Sequence, residues 1–305
     1  MPTHEPLRGS HTVLATPFTA DGSTIDTDAL RQLINWQIES GSHGLIPLGS
    51  TGEFLSVSDD ERRVIVETAV DAANGRVPVL IGTADEWTEK AVRYSVEAQD
   101  AGADGLMIIS PYYSSPTEDE LFEHFRRISD AVSIPIMVYN NPNTANVDLR
   151  PEFVARLGEL DNVRYIKESS GDISRVREIH RVSDRVSVFA GYHPFESLAA
   201  GAKGYVSVIG NFLPAESAAV CDLMNAGRHD KALRLYNRMI PLLNAIAGDK
   251  YVSATKCAMA AVGMPIGNPR PPRLALPEAD AAKLRRLIAE FKRESMMPEA
   301  VEAAD

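Results

Sequence analysis

Eight short apolar runs, each closed by a small or polar residue, recur along the chain near residues 12–16, 44–48, 78–82, 105–109, 135–139, 163–167, 186–190 and 205–208. Between them lie longer stretches with apolar residues at helical spacing, such as 60–73 and 88–101, with Asp, Ser or Thr near their starts as helix caps. A helix placed between two strands returns the chain to the same end of the sheet, so the strands run parallel. The segments Ala101-Gly102-Ala103-Asp104-Gly105 and Ala200-Gly201-Ala202-Lys203-Gly204 read as glycine C-caps that feed the next strand. An open doubly wound sheet usually carries a Gly-x-Gly-x-x-Gly turn after its first strand, and none is present. The pattern predicts an α/β protein built as a (β/α)8 TIM barrel, a fold that takes about 250 residues before additions.

Past residue 208 the pattern is helical only, over 215–226, 229–247, 251–262 and 278–292. The predicted organisation is a barrel over 1–225, a C-terminal helical extension over 226–295 packed on that barrel, and a flexible acidic tail over 296–305. No low-complexity linker separates independent domains.

Composition narrows the partners. A net charge of −11 and a pI near 5.2 oppose sequence-independent attraction to nucleic acid or to anionic membranes. The two cysteines, Cys221 and Cys257, form neither a C-x-x-C nor a metal-ligand pattern, and the seven histidines include no H-x-H or H-E-x-x-H. No metal and no cofactor are expected. The opening ten residues lack the apolar stretch of a signal peptide, and no apolar run reaches about 18 residues. A cytoplasmic protein is expected.

Chemistry in a barrel of this kind sits on the turns at the carboxyl ends of the strands. The second run ends in Gly49-Ser50-Thr51-Gly52-Glu53, the fourth in Pro111-Tyr112-Tyr113, the fifth in Tyr139-Asn140-Asn141-Pro142 and the sixth in Lys167-Glu168-Ser169-Ser170-Gly171. Alternation along the sixth run puts Val163, Tyr165 and Lys167 on one face and Arg164, Ile166 and Glu168 on the other, so Lys167 points into the barrel mouth. Desolvation there favours the neutral amine, which attacks carbonyls and yields an iminium that withdraws electrons from the adjacent bond. A lysine at a strand end also serves merely to reach solvent or to pair with Glu168. Tyr139 has the chemistry to pass a proton to and from a substrate oxygen, or the bulk to fill the core. The Ser50-Thr51 turn offers N–H groups to a carboxylate and hydroxyls to a proton relay, or is an ordinary capped turn.

Taken together, the order and content of these four turns resemble the dihydrodipicolinate synthase and N-acetylneuraminate lyase family, from Ala15-Thr16-Pro17-Phe18 through Pro271-Pro272-Arg273-Leu274. The resemblance implies a lyase that forms a Schiff base between Lys167 and a pyruvate-like 2-oxo acid, with Tyr139 as the proton-shuttling phenol. It makes Ser50 the hydroxyl linking Tyr139 to Tyr113, which in the family crosses from a neighbouring subunit. Thr51 and Gly52 fall in the turn that binds the 2-oxo acid carboxylate, and Gly191 and Val206 match positions lining the same pocket. A homo-oligomer, a dimer or a tetramer of paired dimers, is expected.

Members that make the lysine precursor carry an arginine where this chain has Thr144, and a neutral hydroxyl cannot form the bidentate pair that guanidinium gives a carboxylate. Sialic-acid lyases carry acidic residues after the glycine-tyrosine pair of the seventh strand, where this chain has His193-Pro194. Asn141, Asn143, Thr144 and His193, able to hydrogen-bond hydroxyl groups, therefore point first to a hydroxylated 2-oxo acid such as a 2-keto-3-deoxy sugar acid. 4-Hydroxy-tetrahydrodipicolinate synthase is the alternative, and a non-catalytic 2-oxo-acid-binding barrel the second. Lysine-inhibited members bind the amino acid at a subunit interface. At the matching positions this chain has Phe54, Leu55, Asp59, Arg62, Glu86 and Lys90, so free lysine is not expected to act on it.

Overall fold

A computed structural model describes residues 6–296; the tail expected over 296–305 lies outside the described residues from 297 on. Eight parallel strands run in the order β2-β1-β8-β7-β6-β5-β4-β3. They are β1 Gly9–Val13, β2 Gly44–Ile46, β3 Leu80–Gly82, β4 Gly105–Ile109, β5 Ile136–Asn140, β6 Val163–Glu168, β7 Ser187–Ala190 and β8 Gly204–Ser207. A parallel bridge between Leu45 and Val79, with the Leu45 N–H donating to Pro78 O at 3.0 Å, joins the two outer strands and closes the sheet on itself. The expected (β/α)8 barrel is the observed fold.

Each strand is followed by a helix that covers the sheet: α1 Thr27–Glu39, α2 Asp59–Ala73, α3 Thr88–Asp100, α4 Glu118–Ala131, α5 Pro151–Leu157, α6 Ser174–Val182, α7 Pro194–Ala199 and α8 Pro214–Asn225. Two of them start on complete capping boxes, Ser58 with Glu61 and Thr117 with Glu120, which satisfy end N–H groups that would otherwise be unpaired. Three others carry proline in their first turn, where its missing N–H costs nothing. The added helices α9 His229–Ala245, α10 Tyr251–Ala261 and α11 Glu278–Met296 follow the boundaries expected from sequence within a few residues. Among the described residues no helix is long and apolar enough to cross a membrane.

The first strand differs from expectation: it spans Gly9–Val13 rather than 12–16. Asn211 is the reason. Its Oδ1 accepts from the Ala15 N–H at 2.9 Å while its Nδ2 donates to Val13 O and Val208 O, so a side chain replaces the ladder just past Val13. The freed segment then joins the C-terminal part of the chain, with the Phe18 N–H donating to Ile266 O. Below the mouth the interior is filled by His11, Tyr165 and Phe189, stacked edge to face, and the Tyr165 hydroxyl accepts from the Leu7 N–H. The barrel interior is thus a packed core and not a pore, as in such barrels.

Candidate active site

Strands β5 and β6 pair in register with Tyr139 opposite Lys167, and both side chains are 6 % exposed. The Lys167 ammonium lies 3.9 Å from the centre of the Tyr139 ring. Among the described residues it has no hydrogen bond and no ion pair. A pairing with Glu168 does not form, because Glu168 faces outward as the alternation requires. Its Oε2 accepts from Asn140 Nδ2 at 3.0 Å and its Oε1 from the Ser170 N–H at 2.5 Å. Burial pushes the Glu168 carboxyl above its ordinary range despite those bonds. Lys167 is therefore a buried amine against an aromatic face with no carboxylate paired to it among the described residues, a costly arrangement for a purely structural residue.

The turn after β2 is held under strain. Leu48 and Glu53 bracket it with φ of 61° and 55°, left-handed values that non-glycine residues rarely adopt outside functional turns. Thr51 within it is buried and Ser50 half-buried. Gly52 is required, since a Cβ there would stand 2.9 Å from Leu14 O. The strain is carried by a buried ion pair. Lys256 of α10 sits 2.9 Å from Glu53 Oε1, with side-chain exposures of 2 % and 0 %, and the Arg270 N–H donates to Glu53 Oε2 at 3.0 Å. Lys256 also donates to Thr16 O at 2.9 Å and to Asn268 O at 3.2 Å, tying the first barrel turn and the C-terminal segment to the same carboxylate.

Three buried polar atoms at neighbouring strand ends have no partner among the described residues: Ser110 Oγ after β4, Asn141 Oδ1 after β5 and Ser169 Oγ after β6. Each such group costs about 1–3 kcal/mol if left unsatisfied, so their gathering beside Tyr139 and Lys167 suits a polar ligand. Gly191, at the end of β7, leaves room for this arrangement, because a Cβ would fall 1.7 Å from Ser169 Oγ. Tyr251, at the start of α10, adds a phenol in hydrogen-bond reach of Thr51 and in electrostatic reach of Tyr139 and Tyr192, and burial pushes its pKa far up. A small apolar void lined by Pro194, Tyr205, Ile209, Val220, Tyr236 and Met239 lies under α8 and α9 and is a packing gap away from these groups.

Not every residue singled out in the sequence joins the cluster. The Tyr139 hydroxyl accepts from Asn141 Nδ2 at 3.0 Å rather than from Ser50, and Tyr113 is 87 % exposed, so the link from Tyr139 through Ser50 to Tyr113 does not form within one chain. Thr144 and His193 are exposed on the loops after β5 and β7, His193 in a left-handed conformation at the start of α7. Val206 is fully enclosed in β8, in register with His11 in the packed interior. Sequence reasoning missed Lys256, Tyr251, Ser110 and Ser169. Lys256 had a visible signal, as a lone charge inside the otherwise uncharged helix Tyr251–Ala261. Among the described residues no group of His, Cys, Asp and Glu is arranged to hold a metal ion.

The chain matches the dihydrodipicolinate synthetase family over residues 6–291. It is 36 % identical over 288 residues to the 4-hydroxy-tetrahydrodipicolinate synthase of Syntrophus aciditrophicus, covering 93 % of this chain and 98 % of that one. A putative dihydrodipicolinate synthetase from Pseudomonas aeruginosa superposes with a TM-score of 0.90 at 34 % identity, covering 94 % of this chain and 100 % of that one. YagE, a prophage protein of the dihydrodipicolinic acid synthase family from E. coli solved in complex with pyruvate, gives a TM-score of 0.89 at 33 % identity, covering 93 % and 98 %. A shared barrel and similarity along nearly the whole length have one meaning: this chain is a lyase of the dihydrodipicolinate synthetase family.

Proposed function

We infer that this enzyme is a class I pyruvate lyase acting through Lys167, and that its reaction is that of a 4-hydroxy-tetrahydrodipicolinate synthase, the condensation of pyruvate with aspartate semialdehyde. The observation that carries the first part is the buried Lys167 amine against the Tyr139 ring, with no ion pair among the described residues. The second rests on the name borne by curated relatives over nearly the full chain. The Lys167 amine adds to the ketone carbon of pyruvate, water leaves, and a protonated imine remains. Loss of a methyl proton gives an enamine, whose carbon attacks the incoming aldehyde carbon. Tyr139 takes and returns the protons, and the N–H groups and hydroxyls of Ser50, Thr51 and Gly52 hold the pyruvate carboxylate. Tyr113 reaches this relay from a second copy of the chain in a homo-oligomer, which is why its ring stands exposed in one chain.

One observation favours a second substrate. Thr144 is neutral and exposed where an arginine would hold the aspartate semialdehyde carboxylate, and a hydroxyl suits the hydroxyl groups of a 2-keto-3-deoxy sugar acid, with exposed His193 on the neighbouring loop. Borohydride reduction with pyruvate, followed by peptide mass spectrometry, tests the common step, and an adduct on Lys167 is expected. Absence of an adduct with any 2-oxo acid, or an adduct on another lysine, overturns the reading. Turnover with aspartate semialdehyde, set beside a panel of 2-keto-3-deoxy sugar acids, then decides the second substrate.

A further inference from the structure

The loop after β4 is gripped from both sides. Glu86, on the turn after β3, reaches across to three successive backbone N–H groups: its Oε2 accepts from Tyr112 at 2.8 Å and Tyr113 at 3.0 Å, and its Oε1 from Ser114 at 2.9 Å. Three convergent N–H groups form a concave anion site of the kind that ordinarily takes a phosphate or carboxylate ligand. Here the chain fills it with its own side chain. Burial pushes the Glu86 carboxyl up, but the bonds from this loop outweigh it and hold the group below its ordinary value, so it stays charged and its grip stays charge-assisted. On the carbonyl side, Asn146 Nδ2 donates to Tyr113 O at 2.9 Å and to Ser114 O at 3.3 Å. The Tyr112 ring meets the Phe54 ring edge to face at 5.8 Å, which fixes the loop against the turn region after β2.

Both backbone polar groups of Tyr113 are therefore held while its side chain is 87 % exposed. A rigid main chain carrying a free aromatic ring is a device for presenting that ring, because the entropy of ordering the loop is spent before any partner arrives. We propose that Glu86 and Asn146 are positioning residues that hold the Tyr112–Ser114 backbone so that Tyr113 enters the proton relay of a neighbouring subunit. The turns after β3, β4 and β5 are thereby tied together, so the Tyr113 backbone keeps a fixed place on the subunit that presents it. The proposal rests on the Schiff-base reading above, and is separable from it.

The test is a double-mutant cycle between Glu86→Ala and Tyr113→Phe, read as kcat, as KM for pyruvate, as borohydride trapping on Lys167 and as oligomeric state by sedimentation. Misplacing a catalytic group by about 1 Å costs up to about a hundredfold. Glu86→Ala is expected to lower kcat by about tenfold or more with KM for pyruvate little changed, and to cost little further once Tyr113 is already Phe. Glu86→Gln keeps one acceptor oxygen and recovers part of the loss. Asn146→Ala removes only the carbonyl-side contacts, and carries the same cycle should Glu86→Ala fall apart into monomers. An unchanged kcat in the assembled single variants, or an equal loss in the Tyr113→Phe background, overturns the proposal. Failure to trap wild-type protein instead overturns the Schiff-base reading, and the two failures are distinguishable.

Discussion

Replacing Lys256 with Met tests what holds the turn after β2. Its ammonium is 2.9 Å from Glu53 Oε1 and 4.2 Å from the centre of the Phe18 ring, and it donates to Thr16 O and Asn268 O. At an effective dielectric of about 20 the charge attraction is roughly 6 kcal/mol, offset in large part by the desolvation of two groups that are 2 % and 0 % exposed. Desolvation is also why the Lys256 pKa lies below its ordinary value although Glu53 acts to raise it. The net worth of the pair is thus modest, but removing one partner strands the Glu53 carboxylate in the interior, at a cost of about 3–5 kcal/mol. At about 2 °C per kcal/mol for a chain of this size, Tm should fall by roughly 6–10 °C in differential scanning fluorimetry. Glu53 is also the left-handed residue closing the Ser50-Thr51 turn, so KM for pyruvate should rise together with the loss of stability. The double replacement Lys256→Met with Glu53→Gln removes both charges and should recover much of the Tm. The reasoning is refuted by a Tm drop under about 2 °C in Lys256→Met, or by a double variant as unstable as the sum of the singles.

Replacing Tyr139 with Phe should lower kcat by about a hundredfold or more with an unchanged circular dichroism spectrum, since general acid–base groups typically contribute 10²- to 10⁴-fold, and a near-normal rate would return Tyr139 to a packing role. Burial pushes the His11 and His124 pKa values from 6.5 down to about 4, so both stay neutral in the folded protein while the unfolded chain takes up protons first. Their contribution is complete above about pH 6.5 and is lost as pH falls toward 4, by up to about 3 kcal/mol each; urea midpoints that coincide at about pH 7 and about pH 4.5 would contradict this. Free lysine should leave turnover and Tm unchanged. The carboxylates available to an effector ammonium are engaged by Lys90, whose Nζ is 3.3 Å from Asp85 and 3.8 Å from Asp59, and millimolar inhibition would show the interface alignment to be wrong.

The barrel was legible because its determinants are local and repetitive. Apolar runs of strand length alternating with helical periods leave few topologies, and strands β4 and β6 begin at the expected residues. Where a boundary failed, at β1, the cause was Asn211, a side chain from about two hundred positions away taking over the ladder, which no local pattern encodes. Lys167 and Tyr139 were legible as well, since alternation along a strand fixes which face a residue takes, and their neighbouring strands make them adjacent.

What the sequence by itself determined is the fold and the chemical identity of the groups at the strand ends. Strand alternation and the residue types on successive turns depend only on near neighbours. The tertiary structure alone decided which charges are paired. It joined Glu53 to Lys256 across about two thirds of the chain, brought Glu86 to the N–H groups after β4 and left Lys167 with no ion pair among the described residues. Ion pairs and hydrogen bonds act over a few ångströms in space and carry no period along the chain, so only the folded barrel, by bringing its turns to one end, reveals them.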